Sequence, residues 1–410
     1  MAVLMEPPPE ARGTDDRETA VGYGVRDLYS QVGDRFETFE ALRQQGPVIV
    51  EAGGLMTTTR EAAEAVFRHP DVFSSKFPPI GRAWRPLIPI QNDPPEHKLY
   101  RRLFDPLFSP RAVNPLVPSI ERLVNDHVDR FESRGECVLD QELGVPLPTQ
   151  VFLTLMGLPL SDTELLHELK DGVLRPGYRD GIEPTDTESL ARLGDETARR
   201  IYEYFQAFVD ERRAAPPRDD VMGRVLGAEV DGHRLTDEEV LDACFLLLIA
   251  GLDTVTNSLS LFYNQLARRP DLRGQLAGNP DLIPGAVEEL LRWETPTPAV
   301  FRVAAADAEL CGVPVHPGDM VTIDLGAADT DPGFQPDAGE IRFDRAPNPH
   351  YAFSGGIHRC SGSHLARQEL RITLQVWHRR IPDYWIKPGT EPIWPPGLRS
   401  VENLVLQWRP

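Results

Sequence analysis

The chain turns on Phe353-Ser354-Gly355-Gly356-Ile357-His358-Arg359-Cys360, followed by Ser361-Gly362-Ser363-His364-Leu365-Ala366-Arg367. Two adjacent glycines, a histidine and a cysteine crowd into six residues. The run that continues to about Arg380 carries Leu365, Ala366, Leu370, Ile372, Leu374 and Val376 among charged neighbours, which is the spacing of a helix. Cys360 is therefore expected in a Gly-rich loop that feeds a helix N-terminus. Free N–H groups and the positive end of the dipole lower a thiol pKa there and favour the thiolate, the form that binds metals. Gly355 and Gly356 read as positions that permit positive φ and let a large planar ligand approach the backbone. Two other readings stand beside this one. Cys360 is an inert buried thiol at a helix start, or it is part of a zinc site with His350, His358 and His364. The second lacks the paired Cys-x-x-Cys spacing of zinc proteins.

Composition narrows the function classes. A net charge of −20 argues against nucleic acid and anionic membrane surfaces as general partners. Hydrophobic residues at 41% suffice for a sizeable core. Four cysteines, at 137, 244, 311 and 360, lie far apart and offer no disulfide framework, which suits a reducing cytosol. No stretch approaches the roughly 18 apolar residues of a spanning helix, and the N-terminus has no apolar run that would anchor or secrete it. The expectation is a soluble, cytoplasmic monomer.

Residues 1 to about 20, rich in Pro, Gly and charge, are expected to form a loose tail, with 21–410 as a single domain. A hairpin is expected around Gly53-Gly54 and a short helix over Arg60–His69. The Pro-rich stretch 74–95 excludes regular structure, and a charged helix opens near Glu96. Helical periodicity recurs at 119–133, 148–157, 161–175 and 187–213, with a surface loop at 217–220. Thr236-Asp237-Glu238-Glu239 is a capping-box pattern that opens a helix running to about Arg269, far beyond the average of about 11–12 residues. Its middle, Ala243 to Leu252, is apolar on all sides and should be buried. Another helix spans 284–293, and β-prone segments fall at 301–304, 309–315 and 320–325. The fold class is mostly α, with a small, scattered β component.

Ala250-Gly251-Leu252-Asp253-Thr254 breaks the apolar centre of the long helix. Gly251 costs about 1 kcal/mol relative to alanine, and a buried acid and alcohol are costly unless paired or wetted. Either this is a kinked core helix with a solvated aspartate, or it is a locally widened polar notch beside a cofactor. In the notch, Asp253 carries protons and Thr254 offers a hydroxyl. Glu289 and Arg292, at i,i+3, share one helix face, most simply as a solvated ion pair.

Phe353, Gly356, His358, Cys360, Gly362, Leu365, Ala366 and Arg367 spell a pattern that resembles the haem-binding loop of cytochromes P-450, where a cysteine thiolate is the axial ligand of iron. Ser354 stands where most of the family has glycine, and Ser361 where it often has an apolar residue. The resemblance covers essentially the whole chain and is to the soluble bacterial type. Asp93-Pro-Pro-Glu96, Gly251-Leu-Asp-Thr-Val255 and Arg380-Ile-Pro-Asp-Tyr384 are similar to bacterial camphor hydroxylase. It implies haem b as cofactor and a mostly α single domain. It implies Cys360 as ligand, with Ala250, Phe353, Gly356, Gly362 and Ala366 around the haem, and His97, Arg101, Arg302 and His358 at its propionates. Glu289, Arg292 and Arg345 match the family's structural triad. Asp253 and Thr254 match its acid–alcohol pair, which implies heterolytic O–O cleavage after two protonations.

The implied activity is insertion of one oxygen atom of O2 into a small or medium-sized hydrophobic substrate. The implied electron source is a ferredoxin with its reductase, docking on a basic patch of Lys98, Arg101, Arg102, Arg111 and Arg359. The pocket implied by similarity is lined by Trp84, Arg85, Leu246, Ile249, Ala250, Pro298 and Val300, with Leu398 on the last β segment. Trp84-Arg85-Pro86 is similar to bacterial enzymes that demethylate substituted benzoates, so one reading pairs Arg85 with an aromatic acid. The other gives the pocket a neutral terpenoid or steroid, with Arg85 facing water or a propionate. Two readings from other classes are a haem-thiolate sensor without turnover, which needs no proton relay, and a zinc-thiolate hydrolase, which leaves His97, Arg101 and Arg302 without a role.

Overall fold

The computed structural model describes residues 35–409 except 52, 53, 78, 79, 179, 184, 219, 396 and 397; the expected N-terminal tail lies outside them. Helix α1 (Arg35–Gln45) leads into the hairpin of β1 (Val48–Glu51) and β2 (Gly54–Thr57). Helix α2 (Arg60–Arg68) is capped by Thr59, whose hydroxyl accepts from the Ala62 N–H. After β3 (Phe73–Ser74) the described residues of the Pro-rich stretch hold only a single 3-10 turn at Ile80–Arg82 before α3 (Glu96–Phe104). Then come α4 (Val117–Phe131), β4 (Glu136–Val138), α5 (Pro146–Met156), α6 (Thr163–Leu174) and α7 (Thr187–Ala214), close to the periodic stretches of the sequence. A small hairpin of β5 (Glu229–Val230) and β6 (His233–Arg234) precedes the long helix α8 (Asp237–Arg268). The capping box is formed, since Thr236 Oγ1 accepts from Glu239 N at 3.2 Å and Glu239 Oε2 from Thr236 N at 2.7 Å.

Pro270 ends one helix and begins another, α9 (Pro270–Gly278), as proline at a first helical position does. A second unexpected helix, Val221–Gly227, follows the expected loop, where the Asp220 carboxylate accepts from Gly223 N at 2.8 Å. Helix α10 (Ile283–Glu294) leads to β7 (Ala299–Ala304), β8 (Ala308–Leu310), β9 (Val313–Val315) and β10 (Met320–Asp324). The Cys360 loop opens α11 (Ser363–Arg380), and β11 (Trp385–Ile386) and β12 (Val405–Gln407) close the chain. The main sheet has the order β1-β2-β10-β7-β3, antiparallel except where β10 runs parallel to β2. The largest core cluster lies among the helices, and a smaller one lies between this sheet and α2.

One expectation about glycine is corrected. Helix α8 stays α-helical through Gly251, with no widened turn; Thr254 Oγ1 simply donates back to the Ala250 carbonyl at 3.0 Å. A side chain at Gly251 would press on the Phe152 ring of α5 at 3.4 Å. A π-type turn instead spans Asp140–Gly144, and its Gly144 carbonyl accepts from Thr256 of α8 at 2.8 Å. Gly355 and Gly356 are also required by the protein's own packing. A Cβ on Gly355 would lie 2.6 Å from the Phe67 ring of α2, and one on Gly356 2.7 Å from the Phe67 carbonyl. Of the two, only Gly356 has positive φ (+62°), and Ser354 adopts +57° where the family pattern has glycine.

Candidate active site

The Cys360 loop is closed by its own backbone, Cys360 N–H donating to the Phe353 carbonyl at 2.9 Å. Side chains of α3 hold it from outside. Arg101 donates through Nη1 to the Arg359 carbonyl at 2.8 Å and through Nε to Asp105, while Ser361 Oγ donates to Asp105 Oδ1 at 2.8 Å. Arg101 thus anchors the loop, beyond the propionate role expected of it. The hydroxyl of Ser361 is committed to Asp105. Dense protein around Cys360 pushes its thiol up, against the Gly362 N–H and the charges of Arg101, Arg359 and Arg367. The side chain is nevertheless open to solvent, which weakens that desolvation. A Cβ on Gly362 would sit 3.8 Å from Sγ, so the open side of this glycine borders the sulfur.

One turn before Arg101 on the same face of α3, a cluster of bases gathers around a buried histidine. His97 is 3% exposed, and among the described residues neither ring nitrogen has a hydrogen-bond partner. The His358 ring lies 4.3 Å from it, centre to centre, with Nε2 at 2.9 Å from Ser75 Oγ. Arg302, buried on β7, reaches among the described residues only the neighbouring Phe301 carbonyl, at 2.6 Å. Burial, then Arg101 and Arg302, push His97 down to about 4, and burial with Arg302, His97 and Arg101 pushes His358 down to about 2. Burial, opposed by Asp93, takes Arg302 down to about 10. Asp105 and Asp93 act on His97, and Asp93 on Arg302, but Asp93 is already bonded to Ser74 and to Ser75 N and Asp105 to Arg101 and Ser361. Orphaned buried nitrogens and crowded cations call for an anionic guest. The two carboxylates on the edge of a haem fit that description. On α8, Ala250 and Gly251 are exposed in the mostly buried middle of the helix, as the wall of a large ligand site requires.

Glu289, Arg292 and Arg345 come together as expected, and not as the solvated pair their spacing alone suggests. Glu289 and Arg292 are wholly buried and joined at 2.8 and 2.9 Å, and Arg345 Nε lies 3.1 Å from the same carboxylate. Arg292 also donates to the carbonyls of Asp329, Ala338 and Glu340, which ties α10 to the coil before the Cys360 loop.

Asp253 is not a solvated acid. It is 1% exposed and held by Lys170 at 2.7 Å, Arg175 at 3.3 Å and Asn257 at 3.1 Å. Burial alone would raise its carboxyl, but Lys170 and Arg175 outweigh that and hold it below the usual range. The sequence reading missed both cations. The signal was Lys170 on the apolar stripe of Leu166, Leu169 and Val173 in α6, where a lone cation needs a buried partner.

In the expected pocket, Leu246 and Ile249 are buried on α8, and Pro298 and Val300 are half-buried at the start of β7. Leu398 lies in the loop between the bridged residues Ile393 and Glu402, not on a β segment; that loop is tied down by Arg399 N–H donating to the Pro296 carbonyl. Trp84 is 55% exposed and stacks on Tyr202 of α7 at 4.3 Å. Arg85 pairs with the protein's own Asp242 at 2.8 Å, the carboxylate that also takes the Tyr202 hydroxyl at 2.8 Å. The carboxylate that one of the two readings assigned to a substrate is here that of Asp242 on α8. Of the expected basic patch, Arg101 and Arg102 are paired with Asp105 and Asp231, while Lys98, Arg111 and Arg359 are exposed and carry no ion pair among the described residues.

A zinc site finds no support. The described residues hold no cluster of three His, Cys, Asp or Glu suited to a metal, and His350 and His358 are bonded to Glu288 and Ser75. No described helix is long and apolar enough to cross a membrane.

Comparison with known proteins agrees with this geometry. The family model described as Cytochrome P450 matches residues 53–377. The chain is 32% identical to a steroid C26-monooxygenase of Mycolicibacterium smegmatis, over 88% of each chain. Among solved structures it is similar to P450BioI in complex with an acyl carrier protein ligated with hexadec-9Z-enoic acid, with a TM-score of 0.83 and 27% identity over 92% of this chain and 99% of that one. CYP109E1 from Bacillus megaterium in complex with testosterone gives 0.83 and 28% over 92% and 98%.

Proposed function

The chain belongs to the cytochrome P450 family and is a monooxygenase with haem b as cofactor; from that premise we propose that it oxidises a neutral, apolar substrate of steroid or terpenoid size, in the cytoplasm, with electrons from a ferredoxin. Bound haem supplies the iron at which dioxygen is activated. Cys360 would hold that iron, and His97, His358 and Arg302 would take the propionates. Asp253 holds a proton-accepting carboxylate one residue from the Thr254 hydroxyl, which in turn sits on the Ala250 carbonyl.

The observation that carries the substrate class is the Arg85–Asp242 pair. Arg85 is the one cation among the residues named for the pocket, and it is already neutralised. The remaining residues, Trp84, Leu246, Ile249, Pro298, Val300 and Leu398, are apolar and recognise shape and area, not charge. The similarity to a steroid C26-monooxygenase and to a testosterone complex supports the same class. Exposed Lys98, Arg111 and Arg359 near the thiolate loop support an acidic electron donor.

Titration of the haem protein with steroids, terpenes and substituted benzoates, read by the spin-state change of the Soret band, tests this. Steroids or terpenes are expected to shift the band and benzoates to leave it unmoved, with Arg85→Ala altering apolar binding by less than about tenfold. Tight benzoate binding that is lost in Arg85→Ala would contradict the proposal.

A further inference from the structure

The ring of Phe353, whose carbonyl holds the Cys360 N–H, is covered by a cation: the Arg367 guanidinium lies 4.4 Å from its centre. Arg367 does not stand free. Glu288 of α10 grips it with both oxygens, Nε to Oε1 and Nη2 to Oε2 at 2.7 Å each. His350 Nε2 meets the same carboxylate at 3.1 Å, and its ring lies 5.9 Å from Phe353. Glu288 therefore differs in task from its neighbour Glu289, because successive helix residues point about 100° apart. One turns to the buried triad, the other to the cysteine loop.

The pair is only about a quarter exposed on each side, so its charges are screened less than those of surface ions. Arg367 is also one of the three arginines whose charge acts on Cys360. Burial opposes ionisation of Glu288, yet its bonds to His350 and Arg367 bring its carboxyl down to about 2, so it remains charged at neutral pH.

We propose that Glu288 is a positioning residue for the thiolate: it fixes Arg367 over Phe353 and cancels its charge, and so sets the reduction potential of the iron that Cys360 holds. The inference rests on the haem-thiolate reading above. One-electron reduction of ferric to ferrous iron adds one negative charge to the site. An uncancelled Arg367 beside it favours that electron, and an uncancelled Glu288 opposes it.

The test is a dithionite titration of the haem protein with redox mediators. Glu288→Gln should raise the midpoint potential and Arg367→Gln should lower it, each changing the one-electron reduction equilibrium by about threefold to tenfold. The double variant should return close to the wild type, and Arg367→Lys should remain closer to it than Arg367→Gln. A merely structural role would move both single variants in one direction. Shifts of the same sign, or an unchanged or lowered potential in Glu288→Gln, would overturn the inference; should Arg367→Gln fail to retain haem, a raised potential in Glu288→Gln with Arg367→Lys close to the wild type supports it, and any other sign in Glu288→Gln overturns it. A wild-type protein whose ferrous carbon monoxide complex lacks a strongly red-shifted Soret band would overturn the thiolate reading beneath it instead.

Discussion

Glu289→Ala is expected to cost about 3–5 kcal/mol of folding stability, the range found when one member of a buried ion pair is removed. Glu289 accepts from Arg292, from Arg345 Nε, from the Arg342 N–H at 2.8 Å and from Asn348 Nδ2 at 2.9 Å. Deleting the carboxylate leaves the wholly buried Arg292 without a counter-charge, although its three backbone carbonyls remain. A loss of that size is a large share of the roughly 5–15 kcal/mol available to a typical fold. Because Arg292 and Arg345 bind the coil that leads into the Cys360 loop, haem retention should fall together with stability. Urea unfolding followed by far-ultraviolet circular dichroism, alongside haem content, measures both. A loss below about 1 kcal/mol, the size expected of a surface pair, would contradict the role given to Glu289.

Asp253→Asn is expected to act on rate more than on fold. Its two cations keep other partners, Lys170 with Asp171 at 2.6 Å and Arg175 with Glu402 at 2.5 Å, so the charges left behind are not stranded. Stability should therefore fall by less than in Glu289→Ala. Asparagine cannot accept and return a proton, and substrate turnover should fall by about 10²-fold, at the low end of what positioned acid–base groups contribute. The solvent deuterium isotope effect on turnover should rise as proton delivery becomes slower. Wild-type turnover and an unchanged isotope effect in this variant would remove Asp253 from the proton path. Its depressed carboxyl adds a pH signature. A group whose folded-state value lies below its unfolded one contributes stability above the unfolded value and loses it as pH falls. Asp253 accordingly supports the fold at neutral pH, and that part of stability should be missing from the acid limb of Asp253→Asn.

What could be read from the residues was local. The capping box at Thr236, the helix behind Cys360 and the hairpin at Gly54 each depend on neighbours a few positions apart, so spacing alone exposes them. Glu289 and Arg292 are also neighbours, yet spacing could not say that they are buried; only the resemblance joined them to Arg345, 56 residues from Glu289. Arg85 and Asp242 are 157 residues apart, and no local pattern links a Pro-rich loop to the first turns of a long helix. That pairing bears on which of the two expected substrate classes the pocket takes, and it could not be read from the sequence. The meaning of Gly355 was hidden for the same reason, since the Phe67 ring that forbids a side chain there comes from α2. Proline at 270 misled because proline both stops and starts helices, and the helical run of residues 271–278 makes it a start here as well as a stop.

The ligation of iron by Cys360 carries every other assignment of the site. The absorption spectrum of the purified protein, reduced with dithionite and exposed to carbon monoxide, tests it directly. A strongly red-shifted Soret band, lost in both Cys360→Ala and Cys360→His, is the predicted result. A complex resembling that of a histidine-ligated globin, or a red-shifted band that survives both substitutions, would contradict it.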